Sequence, residues 1–137
     1  MKKILILSGL LSGLLFANDL LVVENNFEKC ITKSDKDACG FVENYLKSGC
    51  EAGSWSKCFL YADMIGRAIG VERDYVGAYE LFKAGCEANA SESCYELSVQ
   101  YLDGKGVPAD FSKSGEALVK ACDLGSKRAC DVLQFVQ

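Results

Sequence analysis

The stretch Cys86–Cys122, CEANASESCYELSVQYLDGKGVPADFSKSGEALVKAC, decides the fold. Each of its ends opens a pair of cysteines eight positions apart, Cys86 with Cys94 and Cys122 with Cys130, and the same spacing recurs upstream as Cys50 and Cys58. The first members fall at 50, 86 and 122, a period of 36 residues. Repetition at a fixed period of this size marks a solenoid, in which each unit buries its apolar face only against its neighbours.

Residues eight apart on one α-helix would lie about 12 Å apart at about 1.5 Å per residue, whereas the Cα atoms of a disulfide rarely lie beyond about 7 Å. A bridge within each pair therefore requires the chain to turn back between them. The intervening EANAS (87–91) and DLGS (123–126) have turn composition. Each C-x7-C reads as a staple across a tight helix-turn-helix corner, so the expected bridges are Cys50–Cys58, Cys86–Cys94 and Cys122–Cys130. The remaining pair, Cys30 and Cys39, is nine apart and out of register with the 36-residue frame. It is expected to staple a terminal helix, from Asp19 to Cys30, across ITKSDKDA to a helix from Cys39 to Cys50. Zinc is the competing use of cysteine, but its structural sites favour cysteines about two to four apart, often with histidine, and this chain has no histidine.

Between the corners, Cys94, Leu97, Ser98 and Tyr101 stand at i, i+3, i+4 and i+7, one face of a helix, and Cys58, Tyr61, Ala62 and Ile65 match them one unit earlier. A second helix shows the same periodicity in Ala78, Leu81, Phe82 and Gly85, in Ser114, Ala117, Leu118 and Ala121, and upstream in Val42, Tyr45, Leu46 and Gly49. In the loop between the two helices, Gly104 and Gly106 can supply positive φ and Asp110 can cap the second helix. The earlier loop keeps Gly70, Val71 and Asp74 but has Ala68 where the first glycine stands. The expectation is an all-α superhelix of about seven helices, stapled by disulfides, with incomplete units at its ends.

The chain opens on Lys2 and Lys3, runs through mostly apolar residues from Ile4 to Phe16 and then offers Ala17. Residues 1–17 read as a secretory signal peptide, too short to span a membrane. An N-terminal capping helix and loop are expected over 18–38 and the repeats over 39–137. All eight cysteines lie in the exported part, as an oxidising, secreted or periplasmic location would require. That part is acidic: without the two leader lysines, 13 Lys and Arg face 19 Asp and Glu. No basic stripe of the kind that nucleic acid requires is visible, and no second hydrophobic segment offers stable membrane insertion. No cofactor or metal is expected.

Gly104-x-Gly106-Val107-x-x-Asp110, preceded by Leu97 and Tyr101 and followed by Lys120-Ala121-Cys122-Asp123-x-Gly125, resembles a Sel1-like repeat. With a cysteine pair in every repeat and an export signal, the chain is similar to the Helicobacter cysteine-rich protein family, also described as β-lactamase-like. The resemblance covers residues 39–137 and is strongest in the last unit. It implies a TPR-like fold and binding of penicillin-type or cell-wall compounds with weak β-lactamase activity. Other Sel1-like proteins act as scaffolds for protein complexes.

A serine β-lactamase signals itself by S-x-x-K with S-D-N and K-T-G. Ser54 and Lys57 fit the first, and Lys47-Ser48-Gly49 and Lys113-Ser114-Gly115 resemble the last, but S-D-N is absent. With 12 serines and 12 lysines in the chain, about one S-x-x-K is expected by chance. Ser54 and Lys57 are thus the candidate catalytic pair if hydrolysis occurs, without a constellation around them. A metallo-enzyme would need the missing histidines.

Binding is the better-founded expectation. In stacked helical pairs the first helices line the concave surface, and their positions opposite the core face are Glu96, Gln100 and Asp103, with Leu60, Met64 and Arg67 one unit earlier. These six are expected to be free to meet a peptide or protein segment. Trp55, in a corner, reads either as an anchor for a partner or as a cover for the adjacent disulfide. Tyr61 and Tyr101 read as core packing with the hydroxyl at the edge.

Overall fold

The computed structural model describes residues 19–136, and the signal peptide expected over 1–17 lies outside them. Within the described residues the chain forms seven helices: α1 (19–33), α2 (Lys36–Glu51), α3 (Trp55–Arg67), α4 (Tyr75–Glu87), α5 (Ser91–Asp103), α6 (Phe111–Asp123) and α7 (Lys127–Val136). None of them is long and apolar enough to cross a membrane.

The connections alternate between two kinds. At the corners after α2, α4 and α6 the chain needs only three residues to reverse. Ser54, Ala90 and Ser126 donate backbone N–H bonds of 3.0, 2.9 and 2.9 Å to Gly49, Gly85 and Ala121, while Gly53, Asn89 and Gly125 donate to Cys50, Cys86 and Cys122. These paired bonds are the Schellman closure of a helix, which places the intervening residue in the left-handed region. Gly53, Asn89 and Gly125 have φ of 95°, 63° and 98°. Asparagine tolerates this conformation better than other side chains, so Asn89 can stand where its counterparts are glycine.

The disulfides span these corners as the spacing predicts, joining Cys30–Cys39, Cys50–Cys58, Cys86–Cys94 and Cys122–Cys130 at Cα separations of 4.4 to 4.7 Å. On the chain-entropy account, a bridge closing a loop of about nine residues contributes roughly 2.5 kcal/mol.

The longer connections come after α3 and α5. Ala68 and Gly104 end those helices in the same left-handed conformation, with φ of 57° and 68°. Asp74 and Asp110 then cap the next helices, accepting from Gly77 N at 2.8 Å and Lys113 N at 3.0 Å, each cap worth about 1 kcal/mol. Between them, Gly70 and Gly106 bring the loop against the preceding unit. A Cβ at Gly106 would collide with the Tyr75 carbonyl, and one at Gly70 with the Cys39 sulfur.

The N-terminal hairpin differs from the expectation in one respect. Asp35 accepts from Ala38 N at 2.9 Å, so α2 starts at Lys36 rather than Cys39, and α1 runs past Cys30 to 33. The ITKSDKDA loop shrinks to Ser34 and Asp35, with Ser34 at φ 50° supplying the reversal.

The buried side chains form two core clusters. Cys30, Ala38, Cys39, Val42, Leu46 and Met64 join α1, α2 and α3. Ile65, Ala78, Phe82, Leu97, Ala117 and Ala121, among others, run from α3 to α7. The helix faces read from the 36-residue pattern are the faces that are buried. Tyr101 packs as expected, its ring edge-on to Tyr79 at 5.8 Å and its hydroxyl 3.2 Å from that of Tyr79. That hydrogen bond, with burial and the nearby Asp110 and Glu116 charges, pushes the Tyr101 phenol up to about 12.

Candidate functional site

The odd-numbered helices share one face of the molecule, and the six positions expected to be free lie on α3 and α5. Three of them are exposed: Leu60, at 43% of its full surface, and the side chains of Arg67 and Asp103. The other three are not. Met64, Glu96 and Gln100 keep only 4%, 9% and 7% of their surface. A helix wheel accounts only for the packing of each odd helix against even ones, but the odd helices also meet one another. Met64 packs with Phe27 and Cys30 of α1 over Val42 and Leu46 of α2. Glu96 accepts a 3.0 Å bond from Arg128 of α7. Gln100 lines a groove whose other wall is Ala62, Asp63 and Gly66 of α3.

Between neighbouring odd helices run two grooves that are the same feature one repeat apart. The first, between α1 and α3, is a furrow of about 130 Å³ lined by Phe27, Ile31, Leu60, Met64 and Ile69, room for a side chain rather than a whole ligand. Thirty-six residues on, the same positions are Asp63, Arg67, Glu96, Gln100 and Lys105, and they line a groove of about 390 Å³ between α3 and α5. An apolar furrow thus adjoins a charged one, with Asp63 on the wall of each.

The charged groove keeps an apolar floor of Ala62, Phe82 and Val99. Asp63 pairs with Arg67, and Glu96 with Arg128 at 3.0 Å. Lys105 pairs with Asp103 at 2.8 Å, and that hydrogen bond holds its ammonium above the ordinary value. Arg73 lies over the Tyr75 ring, 5.3 Å from its centre. It also borders a broader cleft of about 940 Å³ at the start of α2, lined by Lys36, Glu43, Tyr61 and Asp74 among others.

A third groove, of about 460 Å³, lies between the first turns of α3 and α5 and is walled by Trp55, Phe59, Leu60, Ala90 and Ser93. Trp55, 42% exposed, turns toward the following corner. Leu60 belongs to both this groove and the α1–α3 furrow, so an apolar surface continues along α3.

At the C-terminal side, Glu92 receives the Ser126 hydroxyl at 2.7 Å and the Arg128 Nε at 2.8 Å. Burial opposes ionisation of Glu92, but these two donors and the Arg128 charge outweigh it and hold the carboxyl below its usual range. Arg128 also stacks over Tyr95 at 4.2 Å. The cluster fastens α7 to α5.

Ser54 and Lys57 do not form a pair. The Ser54 hydroxyl is hydrogen-bonded to Ser56 at 3.1 Å, while the Lys57 ammonium sits 4.0 Å above the Tyr45 ring and its alkyl chain covers Gly49. In the second K-T-G lookalike, Ser114 is buried and donates to the Ser98 carbonyl at 2.8 Å, a joint between α5 and α6. Lys57 and Ser114 thus have packing roles in the repeat.

No protein-family model and no curated protein sequence matches the chain. Solved structures do. Helicobacter pylori cysteine rich protein B superposes with a TM-score of 0.64 and 23% identity, over 82% of this chain and 92% of that one. A protective antigen of uropathogenic Escherichia coli strains displaying an SLR fold matches with a TM-score of 0.60 and 21% identity, over 64% of this chain and 19% of its own. A Sel1 repeat protein from Oxalobacter formigenes matches with a TM-score of 0.60 and 17% identity, over 69% and 37%. The chain therefore has the disulfide-stapled, Sel1-like repeat fold.

Proposed function

We propose that this protein is a secreted or periplasmic binding protein that holds an extended peptide or protein segment along its odd-helix face. The observation that carries this reading is the repetition of one interhelix groove, 36 residues apart, with its chemistry changed from apolar to charged. A segment lying across α1, α3 and α5 would set an apolar side chain in the furrow beside Leu60 and Met64, and polar groups in the groove beside Arg67 and Gln100. Such recognition requires no reacting group, in keeping with the separate contacts of Ser54 with Ser56 and of Lys57 with Tyr45. Four disulfides fit an oxidising, extracytoplasmic location.

Peptides selected from a displayed library on the mature, oxidised protein test the reading. They should share an apolar residue at a constant distance from a polar one, and Leu60→Asp and Trp55→Ala should each weaken them at least tenfold with unchanged circular dichroism. Leu60 and Trp55 are exposed, so these variants leave the core intact. Undiminished binding to both would place the site elsewhere.

A further inference from the structure

Tyr79 of α4 and Tyr101 of α5 pack together beside the loop that follows α5, their rings edge-on at 5.8 Å and their hydroxyls 3.2 Å apart. One repeat earlier the same two positions hold Glu43 and Ile65. The frame around them is kept, since Gly70 presses its loop on Cys39 of α2 as Gly106 presses on Tyr75 of α4, 36 residues further on. Without the two phenol rings the space stays open as the cleft of about 940 Å³ at the start of α2, which Glu43 and Ile65 both line. Tyr61 stands where the next unit has Leu97, and it forms one wall of the cleft without filling it. The volume lies within the range of ligand sites.

A second observation points into the same cleft. Gly40, on its wall, stands in the interior of α2, where glycine is destabilising relative to alanine. A Cβ there would meet no atom within 4 Å, and the equivalent position one repeat later is Val76. The fold therefore does not require glycine at 40, and the effect of glycine is to open the helix backbone to whatever enters. The charged groups of the cleft nearly balance, Lys36 and Arg73 with Glu43, Glu72 and Asp74, so a neutral ligand suits it better than an ion of either sign. Asp74 is engaged in capping α4. Among the described residues Lys36, Glu43, Glu72 and Arg73 make no ion pair. Glu43 thus offers a half-buried carboxylate as an acceptor beside the apolar Ile65 and Val71.

We propose that this cleft binds a phenol ring, seated over Ile65 and against Tyr61 much as Tyr101 is seated against Tyr79, with its hydroxyl donating to the Glu43 carboxylate. The ring takes the room that the repeat fills with its own tyrosines one unit later, so its size and polarity are ones the frame accommodates. Edge-on contact with Tyr61 is the arrangement that aromatic pairs prefer. The site is independent of the peptide-binding reading of the odd-helix grooves, although Arg73 borders both places. A tyrosine residue of a partner and a small free phenol present the same ring and hydroxyl, and the probes separate them.

The test follows the amide chemical shifts of the isotope-labelled, oxidised mature protein on titration with p-cresol and with the N-acetyl amides of tyrosine, phenylalanine and leucine. The tyrosine amide should bind at least fivefold more tightly than the phenylalanine amide, because a site built around a hydroxyl rejects the analogue lacking it, and at least tenfold more tightly than the leucine amide. The signals of Gly40 and Gly70 should move. Cresol binding as tightly as the tyrosine amide marks a free phenol as the source, and weaker binding marks a tyrosine residue. Glu43→Leu should erase the preference over phenylalanine. Glu43→Tyr with Ile65→Tyr, which installs the pair of the next unit, should abolish binding of every ring, and Gly40→Val, whose side chain has open space, should weaken it at least tenfold with unchanged circular dichroism. Undiminished binding in Gly40→Val overturns the assignment to this cleft whether or not the double variant folds. Equal binding of the tyrosine and phenylalanine amides overturns the phenol, and no binding of any probe overturns the site.

Discussion

Replacing Gln100 by Met should make the ligand-free protein more stable, an outcome that ordinary core substitutions rarely give. The gain comes from the orphaned amide oxygen, which costs about 1 to 3 kcal/mol where it is buried without a partner. Methionine is close to glutamine in length and bends readily into irregular gaps, and Met64 occupies the equivalent register with 4% exposure. Allowing for imperfect packing against Phe82 and Val99, the net gain should be about 1 to 2 kcal/mol. Urea unfolding of the oxidised protein, followed by far-ultraviolet circular dichroism, should show a midpoint raised by roughly half to one molar with an unchanged slope. The reciprocal Met64→Gln should lower stability by about 2 kcal/mol, because it carries an amide into an apolar furrow. A Gln100→Met protein with an unchanged or lower midpoint would refute the reasoning, since it would show that the oxygen is already satisfied.

Four other variants probe separate parts of the structure. Ala68→Gly should raise stability by up to about 1 kcal/mol in thermal melting, because Ala68 holds a φ of 57° that Gly104 adopts without a Cβ. Glu92→Gln should cost less than about 1 kcal/mol at neutral pH, as half-exposed ion pairs do. The folded Glu92 carboxyl lies below its ordinary 4.5, so this contribution is present above that value and lost as pH falls through the folded pKa; urea midpoints of the two proteins should converge in acid. Cys86→Ala with Cys94→Ala should lower stability by roughly 2.5 kcal/mol in urea unfolding. Ser54→Ala should leave any hydrolysis of nitrocefin by the purified protein unchanged, whereas loss of a true nucleophile costs orders of magnitude.

The repeat frame and its staples are legible in the sequence because they are local. A corner is settled by about nine consecutive residues, and a helix face by a pattern within two turns, so Cys86–Cys94, Leu97 and Asp110 can all be placed from the chain alone. Met64, Glu96 and Gln100 are misplaced by such reasoning because their burial comes from helices about one repeat away in sequence, and a wheel drawn for one helix contains no neighbour. The grooves escape it for the same reason, although the sequence holds a signal for them. Aligning the chain on its 36-residue period puts Phe27 over Asp63, Ile31 over Arg67, Met64 over Gln100 and Ile69 over Lys105. A column that changes from apolar to polar between adjacent units, while the cysteine columns stay constant, marks positions that the fold does not dictate. The orphaned oxygen of Gln100 and the unpaired state of Arg73 depend on side-chain geometry and have no such signal.

That separation explains how so short a solenoid can vary its grooves while keeping its frame. An array normally needs about three units to bury a continuous core, and here α1 and the four bridges supply what further units would. Each of the three bridges within the repeat frame joins the end of an even helix to the first turn of the odd helix after it, across a Schellman closure whose backbone bonds recur every 36 residues. The groove residues of α3 and α5 stand further along those helices, at 63 to 67 and 96 to 100. Their side chains take no part in the corner bonds. A change at Met64 or Gln100 therefore alters the lining of one groove and leaves the next corner closed, so the chemistry of the proposed binding face can be set unit by unit on a constant frame.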